Sequence, residues 1–504
     1  MKTKNILLLA LLALTGVFTA CSDDALFQNP ATSLSDETIL ETKETAQTVL
    51  MGAYALSSDY RYLTIGEIAL EVMGHDIKMS DGNYGFSTYN WLMFAYNYVQ
   101  YPRTVDGWWS AYAPYLWRYA YKAIDQANLI INNADKLPAG CEDIVAQAYG
   151  IRGYNYLNLY HLFCHSYTYA GDEGQGLFLR LTPGSADGND VPRSKLGESL
   201  QRIIDDFTYA YEHGTQTSNF FINPKNAALL LARTYLDKGD YVNAQKYAEI
   251  ASPAFDGSNL MSKEEYQSGF NTANDEWLWG FNFTSETSNI YASIPSFYHA
   301  ATYKDPESVF GTEGYGAKVT YNYLAENSVD WMTGYSTVRI TWSFANLFGP
   351  GDSRALFPFY IDEKDGLFTS KYSSKGSLGI ADYPLARIAE AYLIEAECLA
   401  RKNDPKALTV LNALQTKRGG TISTEISVDE VWKERRRELY GEGFALPDIK
   451  RLQKPLQRVG DEHWSSVKEL PANSPRFMFP IPADELDYNK STTDADQNEY
   501  WRAK

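Results

Sequence analysis

The feature that most constrains the fold is an alternation of small and large residues along two helical stretches. Ala232 and Tyr235 precede Gly239, and Ala244 and Ala248 follow it. Small residues let two consecutive helices approach closely, and a tyrosine fills the space between them. This spacing is typical of a tetratricopeptide helix-turn-helix unit, so we predict a mainly α protein built from stacked helix pairs.

A second helix pair is predicted on either side of Asn403-Asp404-Pro405. Tyr392 and Ala396 lie before this break, and Ala407 and Leu411 follow it. Proline is favoured in the first turn of a helix, so the break starts a new one. Less regular apolar periodicity predicts three further helices, of which the first two could form a pair: Ala146 to Phe163, Leu196 to Tyr211, and Val428 to Tyr440.

The segment from about Gly257 to Tyr383 has a different character, since it is rich in Gly, Ser, Asn and aromatic residues and has poor helical periodicity. Loops longer than ~15 residues are usually either functional or disordered, and aromatic content argues against disorder. We expect an ordered irregular lobe at about 257–383, packed on the helices. Because a helical solenoid can be long without splitting, residues 21–504 are predicted to form one domain.

The N-terminus has the pattern of a lipoprotein signal peptide, predicted at residues 1–20. Lys2 and Lys4 precede an apolar run from Ile6 to Leu14, and Cys21 follows a short segment ending in Ala20. The apolar run is too short to cross a hydrocarbon core of ~30 Å as a helix. We therefore expect Cys21 to carry lipid that holds the chain at a membrane surface.

Charge and cysteine content exclude several classes of protein. The formal net charge of −18 would repel a phosphate backbone, so no nucleic-acid partner is expected. Apart from Cys21, the chain has Cys141, Cys164 and Cys398, an odd number that is not typical of a disulfide framework, although one disulfide remains possible.

Motifs for catalysis and metal binding are weak or absent. The sequence contains no Gly-x-Ser-x-Gly elbow, no His-Glu-x-x-His helix and no phosphate-binding Gly-x-x-x-x-Gly-Lys-Ser/Thr loop. His161 and His165 bracket Cys164, but no third histidine or paired cysteine lies nearby in the sequence, and the surrounding residues favour the end of a packed helix. We expect no enzyme activity, no metal and no cofactor.

Several motifs in the second half of the chain resemble those of one family. Gly351-Asp352-Ser353-Arg354, the helix from Arg387 to Glu397, and the Glu434-Arg435, Glu438-Leu439 and Glu442-Gly443 pairs occur in order. The C-terminal signature is the most specific, and its residues are Phe479-Pro480-Ile481-Pro482, Glu485, Asn489, Gln497-Asn498 and Tyr500. These motifs resemble the SusD/RagB family of outer-membrane nutrient-binding lipoproteins of Bacteroidetes.

The resemblance implies a SusD-like fold, with about four tetratricopeptide-type helix pairs and a loop-rich lobe. It also implies a lipid-anchored protein on the outer face of the outer membrane. Such a protein would bind an oligosaccharide or polysaccharide and deliver it to a SusC-like TonB-dependent transporter. Ser22-Asp23-Asp24 resembles the acidic surface-export signal of Bacteroidetes lipoproteins.

Candidate ligand-binding residues combine flat aromatic rings with polar rims, because sugar rings present apolar C–H faces surrounded by hydroxyls. Asn83, Tyr84, Tyr89 and Trp91 supply both in a glycine-punctuated segment. The resemblance implies that this region contributes to the ligand face. Packing of Tyr89 and Trp91 beneath the loop is an equal alternative.

A second candidate set lies in the irregular lobe, where the resemblance implies further ligand contacts. Asp330, Trp331 and Tyr335 rank highest, because a polar rim and two rings flank the flexible Gly334. Trp342 lies in an alternating stretch typical of a half-buried strand. The other candidates in this region are Tyr298 and Tyr315.

Three other functions remain open from the sequence alone. RagB-type relatives take oligopeptides, and aromatic residues do not separate sugar from peptide. A structural lid for the transporter would need no ligand site of its own. A hydrolase would need two carboxylates ~5 to 10 Å apart across a cleft, a separation that the sequence does not define.

Overall fold

The structure is a computed structural model that describes residues 40–80, 93–96, 112–184, 189–289, 292–298, 337–357, 364, 366–377, 379–460 and 463–502. Helices dominate these residues, as predicted. The helices are α1 Lys43–Ser58, α2 Leu63–Val72, α3 Tyr112–Ile131, α4 Glu142–Phe163, α5 Tyr167–Ala170, α6 Leu196–His213, α7 Pro224–Lys238, α8 Tyr241–Ala251, α9 Lys263–Gln267, α10 Ile294–Tyr298, α11 Trp342–Ala345, α12 Ile388–Arg401, α13 Lys406–Arg418, α14 Val428–Leu439, α15 Ala445–Arg451 and α16 Ala483–Tyr488.

Within the described residues the strands are short and form four antiparallel pairs. They are β1 Ile77–Met79, β2 Gln175–Phe178, β3 Arg193–Lys195, β4 Trp277–Phe281, β5 Val338–Ile340, β6 Tyr383–Arg387, β7 Leu456–Gln457 and β8 Glu469–Leu470. The pairs are β1 with β5, β2 with β3, β4 with β6, and β7 with β8. Because β6 runs directly into α12, the β4–β6 pair attaches the lobe to the helices.

The long helices form one continuous row. Helix α1 packs on α3, α3 on α4, α4 on α6, and α6 on α7. Helices α8 and α12 continue this row, and both α13 and α14 pack on α12. The predicted pairs α7–α8 and α12–α13 are confirmed, as are the packing of α4 on α6 and the late helix α14. The tetratricopeptide geometry of these pairs stays a prediction.

Gly239 ends α7, as expected for the residue between the two helices of the predicted pair. Its φ of +77° lies in the left-handed region that favours glycine. The N–H groups of Gly239 and Asp240 then donate to the carbonyls of Leu236 and Tyr235, at 3.1 and 2.9 Å. The chain thus turns within two residues and enters α8.

The lobe predicted at 257–383 is irregular in the residues that the structure describes there. They contain only the short elements α9, α10, α11, β4, β5 and the start of β6. Trp342 begins a helix rather than continuing a strand: β5 stops at Ile340, and the Thr341 hydroxyl caps α11 by accepting a hydrogen bond from the Phe344 N–H at 3.2 Å. The strand pattern was therefore wrong beyond Ile340.

Across the described ranges, no helix is both long and apolar enough to cross a membrane. Cys141, Cys164 and Cys398 are buried and form no disulfide.

Candidate functional site

The described residues next to the two segments that carry most of the candidate ligand residues lie in one pair of strands. In the antiparallel pair of β1 and β5, Met79 lies opposite Val338. The next residues continue the contact, since the Ser80 N–H donates to the Thr337 carbonyl at 2.7 Å. Ser80, which precedes segment 81–92, and Thr337, which follows segment 299–336, therefore lie side by side.

Aromatic and cationic side chains hold one side of this strand pair in place. The Trp464 indole N–H donates to the Met79 carbonyl at 2.8 Å, and the Trp464 ring lies 4.9 Å from that of Phe94. The Arg458 guanidinium lies 4.3 Å from the Phe94 ring and donates to the carbonyls of Val72 and Phe94, both at 2.7 Å. Burial lowers the pKa of Arg458 to about 10. We call β1, β5, Phe94, Arg458 and Trp464 the lobe base.

The other side of the lobe base is closed by the segment after residue 366. Ile340 and Leu367 exchange two backbone hydrogen bonds, at 2.7 and 2.8 Å. The Arg339 guanidinium lies 3.6 Å from the centre of the Phe368 ring. Residues on both sides thus hold the two strands in place, and with them Ser80 and Thr337.

The structure places only two of the ten candidate ligand residues. Trp342 is partly buried and starts α11, two residues beyond the end of β5. Tyr298 is fully buried at the end of α10, 5.0 Å from the Tyr372 ring. In this structure Tyr298 packs as a core residue, because all five residues of α10 are buried. Outside the described residues lie Asn83, Tyr84, Tyr89, Trp91, Tyr315, Asp330, Trp331, Tyr335 and the predicted lipidation site Cys21.

A buried network of charges joins the lobe to the helices. Glu438 of α14 accepts hydrogen bonds from Arg354 and Arg387, each at 3.1 Å, and from Arg418 at 2.9 Å. All four side chains are fully buried. Burial acts to raise the pKa of Glu438, but Arg418, Arg387 and Arg354 outweigh it and hold this pKa well below its usual range.

The network includes further acidic and basic residues from both regions. Arg387 also donates to Glu442 at 2.8 Å, and Lys371 donates to Glu442 at 2.7 Å. The remaining pairs are Arg354 with Asp352 and Glu434, Arg387 with Glu276, Arg418 with Glu276, and Arg437 with Glu434. We call this set the charge network. The motifs at 351–354, 387 and 434–442 thus meet at one place, although sequence spacing did not predict their contact.

The histidine and cysteine cluster considered for metal binding has other partners. His161 Nε2 lies 2.7 Å from an Asp237 carboxylate oxygen, and Lys450 donates to the carbonyls of His161 and Cys164 at 2.7 and 2.6 Å. Within the part of the chain that the structure describes, no three His, Cys, Asp or Glu side chains are placed to hold a metal ion.

A row of helices carrying an irregular lobe is the fold of the SusD superfamily, as comparison with solved structures shows. A SusD-like carbohydrate binding protein from Bacteroides vulgatus matches with a TM-score of 0.72 and 24% identity, over 91% of this chain and 98% of that chain. Surface glycan-binding protein A from Bacteroides uniformis matches with a TM-score of 0.67 and 19% identity, over 91% and 100%.

Family models and curated relatives agree with the fold. The SusD family model matches residues 358–501, and the model described as starch-binding associating with outer membrane matches residues 31–236. A SusD-like protein from Formosa agariphila is 24% identical, covering 91% of this chain and 93% of its own length. The chain belongs to the SusD-like family.

Proposed function

We propose that this chain binds an oligosaccharide or polysaccharide at its irregular lobe and delivers it to a SusC-like TonB-dependent transporter. The observation that carries the proposal is the hydrogen bond at the lobe base between Ser80 and Thr337, the residues next to segments 81–92 and 299–336. These segments contain aromatic rings and polar side chains suited to sugar faces and hydroxyls. Names of relatives that include carbohydrate or glycan binding support the ligand class.

Membrane attachment belongs to the same proposal. Lipid on Cys21 would hold the domain at the outer membrane, facing the cell exterior. Stable attachment needs more than one acyl chain, because a single chain gives only marginal binding. The family description that names association with the outer membrane supports this location. Metabolic labelling with a fatty-acid analogue tests it: label on the native chain and none on Cys21→Ser is expected, and equal label on both would contradict the anchor.

The proposed function is tested by titrating the protein that begins at Ser22 with neutral oligosaccharides and with defined peptide mixtures. Tryptophan fluorescence is the readout. We expect saturable change with one glycan class and no release of shorter products on chromatography. Trp331→Ala should weaken binding about ten-fold with the fold intact, because one stacking face contributes ~1 to 2 kcal/mol.

Tyr169→Ala is the matched control, since Tyr169 is an exposed aromatic residue of α5 outside the lobe. Its affinity should equal that of the native protein. A fluorescence change with peptides alone would indicate oligopeptide capture. No fluorescence change with either ligand class would favour a structural lid without its own ligand site. Product release abolished by neutralising one carboxylate would instead indicate a hydrolase.

A further inference from the structure

A cleft of about 520 Å³ lies between α3 and the C-terminal helix α16. Arg118, Lys122 and Asp125 of α3 line one wall, and Asp484 and Tyr488 of α16 line the other. Its volume lies within the range of small-molecule sites. The cleft contains none of the residues of the lobe base, so it is a separate feature of the molecule.

The floor of the cleft is held in one arrangement by hydrogen bonds. The buried Glu485 carboxylate accepts from the Trp117 indole N–H at 3.1 Å, from Arg180 at 2.7 Å and from Asn489 at 2.8 Å. The Arg180 guanidinium also lies 4.9 Å from the Tyr121 ring. A floor that is ordered before a ligand arrives lowers the entropy cost of binding.

An aromatic ring stands at the mouth of this cleft. Tyr488 is 78% exposed, whereas Tyr121 and Trp117 in the same lining are buried. An isolated exposed apolar residue is common on protein surfaces. A flat ring beside a concave polar site is more informative, because its face can cover the C–H face of a sugar while the opposite wall reaches the hydroxyls.

The charges around the cleft favour a neutral ligand. Three cationic and four anionic side chains line it, and most are already paired. Arg118 pairs with Asp484 at 2.9 Å and Arg180 pairs with Glu485 at 2.7 Å. Asp125 accepts from the Gly184 N–H at 2.6 Å. An anionic ligand would find no surplus of positive charge, and a cationic ligand would find a surplus of only one negative charge. Hydroxyl groups can both donate to and accept from such a rim.

We propose that this cleft is a second saccharide subsite, in which Tyr488 stacks on one sugar ring and Lys122 and Asp125 contact its hydroxyls. The inference rests on the proposed function for its ligand class but not for its location. Arg476 donates to the Tyr96 carbonyl at 3.1 Å, close in sequence to Phe94 of the lobe base. Because Arg476 and Tyr488 are twelve residues apart, their Cα atoms are separated by at most about 45 Å. The cleft is therefore within reach of one polysaccharide chain that is also bound near the lobe base. Two subsites on one chain would raise the avidity for a polysaccharide above that for a short fragment.

Calorimetric titration with maltohexaose, xylohexaose, mannohexaose and laminarihexaose tests the subsite. We expect the native protein to bind one of these at two sites per chain, and Tyr488→Ala to retain one. On a gel containing the matching polysaccharide, Tyr488→Ala should be retained about ten-fold more weakly, since 1.4 kcal/mol of stacking corresponds to that factor. Lys122→Met, on the opposite wall, should weaken the same site.

The controls separate this inference from the proposed function. Tyr169→Ala should behave as the native protein, and Trp331→Ala should weaken only the other site. Native stoichiometry and affinity in both Tyr488→Ala and Lys122→Met, with Trp331→Ala weakened, would overturn the cleft subsite and leave the proposed function standing. Failure of the native protein to bind these four hexasaccharides or any other glycan in the titration of the proposed function would overturn both.

Discussion

At the scale of single residues, burial disfavours the ionisation of two carboxyl groups of α2. Glu67 and Glu71 are one helical turn apart and both are buried. Burial, partly offset by Arg233 and assisted by the charge of Glu71, raises the pKa of Glu67 to about 8. Burial also raises the pKa of Glu71 to about 7, against the backbone N–H groups that it accepts from. In the folded protein, Glu67 is therefore mainly neutral below about pH 8 and Glu71 below about pH 7.

These raised pKa values predict a stability that falls as pH rises. An unfolded glutamate titrates near 4.3, so the folded protein holds extra protons between about pH 4.5 and 8, and its free energy of unfolding decreases through that window. Glu67→Gln mimics the neutral form. We expect its free energy of unfolding, relative to that of the native protein, to increase by on the order of 3 kcal/mol between pH 5 and pH 8.

Urea denaturation at pH 5, 6, 7 and 8 measures this difference. Glu212→Gln is the matched control, because Glu212 is exposed near the end of α6. The control should follow the native protein at every pH. A Glu67→Gln variant that stays parallel to the native protein from pH 5 to pH 8 would refute the raised pKa of Glu67.

At the scale of helices, close approach depends on glycine at one position and tolerates alanine at another. Gly150 lies inside α4, and a Cβ built there would be 2.4 Å from Ile222 Cγ2 and 3.2 Å from Ala210 Cβ. Gly52 lies inside α1, where the nearest atom would be 3.6 Å away. Ile222 is fully buried and β-branched, so it has little freedom to move aside.

The two glycines form a matched pair for mutation. Gly52→Ala should raise the free energy of unfolding by about 0.5–1 kcal/mol, because alanine is the better helix former. Gly150→Ala should lower it by about 1–3 kcal/mol, because overpacking outweighs the same gain. Chemical denaturation at neutral pH measures both. Equal stabilisation by the two substitutions would contradict this prediction. It would show that Ile222 can move away from α4 with no loss of free energy of unfolding.

Helices were the part of the fold that local pattern could predict. The alternation around Gly239 and the break at Pro405 each gave the correct helix pair, because periodicity and turn chemistry are local. Trp342 shows the limit of that reasoning. Its alternating neighbours suggested a strand, but the Thr341 hydroxyl forms a cap that starts a helix instead.

At the scale of the whole molecule, the contacts that hold the lobe on the helices are far apart in sequence. Arg354 and Glu434 are 80 residues apart, and Arg387 and Glu276 are 111 apart. No period or short motif encodes such pairs, so the sequence identified the motif residues without predicting their contact. Site residues face the same limit: Tyr298 has the polar neighbours of a ligand contact in the sequence, yet tertiary packing buries it.

The charge network predicts that lobe and helices unfold together. Glu438 on α14 pairs with Arg354 of the lobe, with Arg387 at the end of β6 and with Arg418 of α13. Replacing Glu438 with glutamine leaves three buried guanidinium groups with one carboxylate fewer. Breaking a buried ion pair in this way costs about 3–5 kcal/mol. Glu438→Gln should lower the free energy of unfolding by that amount. The unfolding midpoint should fall equally when it is followed by tryptophan fluorescence and by far-ultraviolet circular dichroism.

Coincidence of the two signals is the decisive measurement, because buried lobe tryptophans such as Trp277 and Trp279 contribute to the fluorescence, whereas the helices dominate the dichroism. Glu425→Gln, at an exposed position between α13 and α14, should leave both midpoints in place. If the fluorescence midpoint of Glu438→Gln fell while the dichroism midpoint did not, the lobe would be an independent unit and the single-domain prediction would be wrong. A common shift means that the same buried charges fix the lobe, and with it the attachment of the proposed ligand-binding segments.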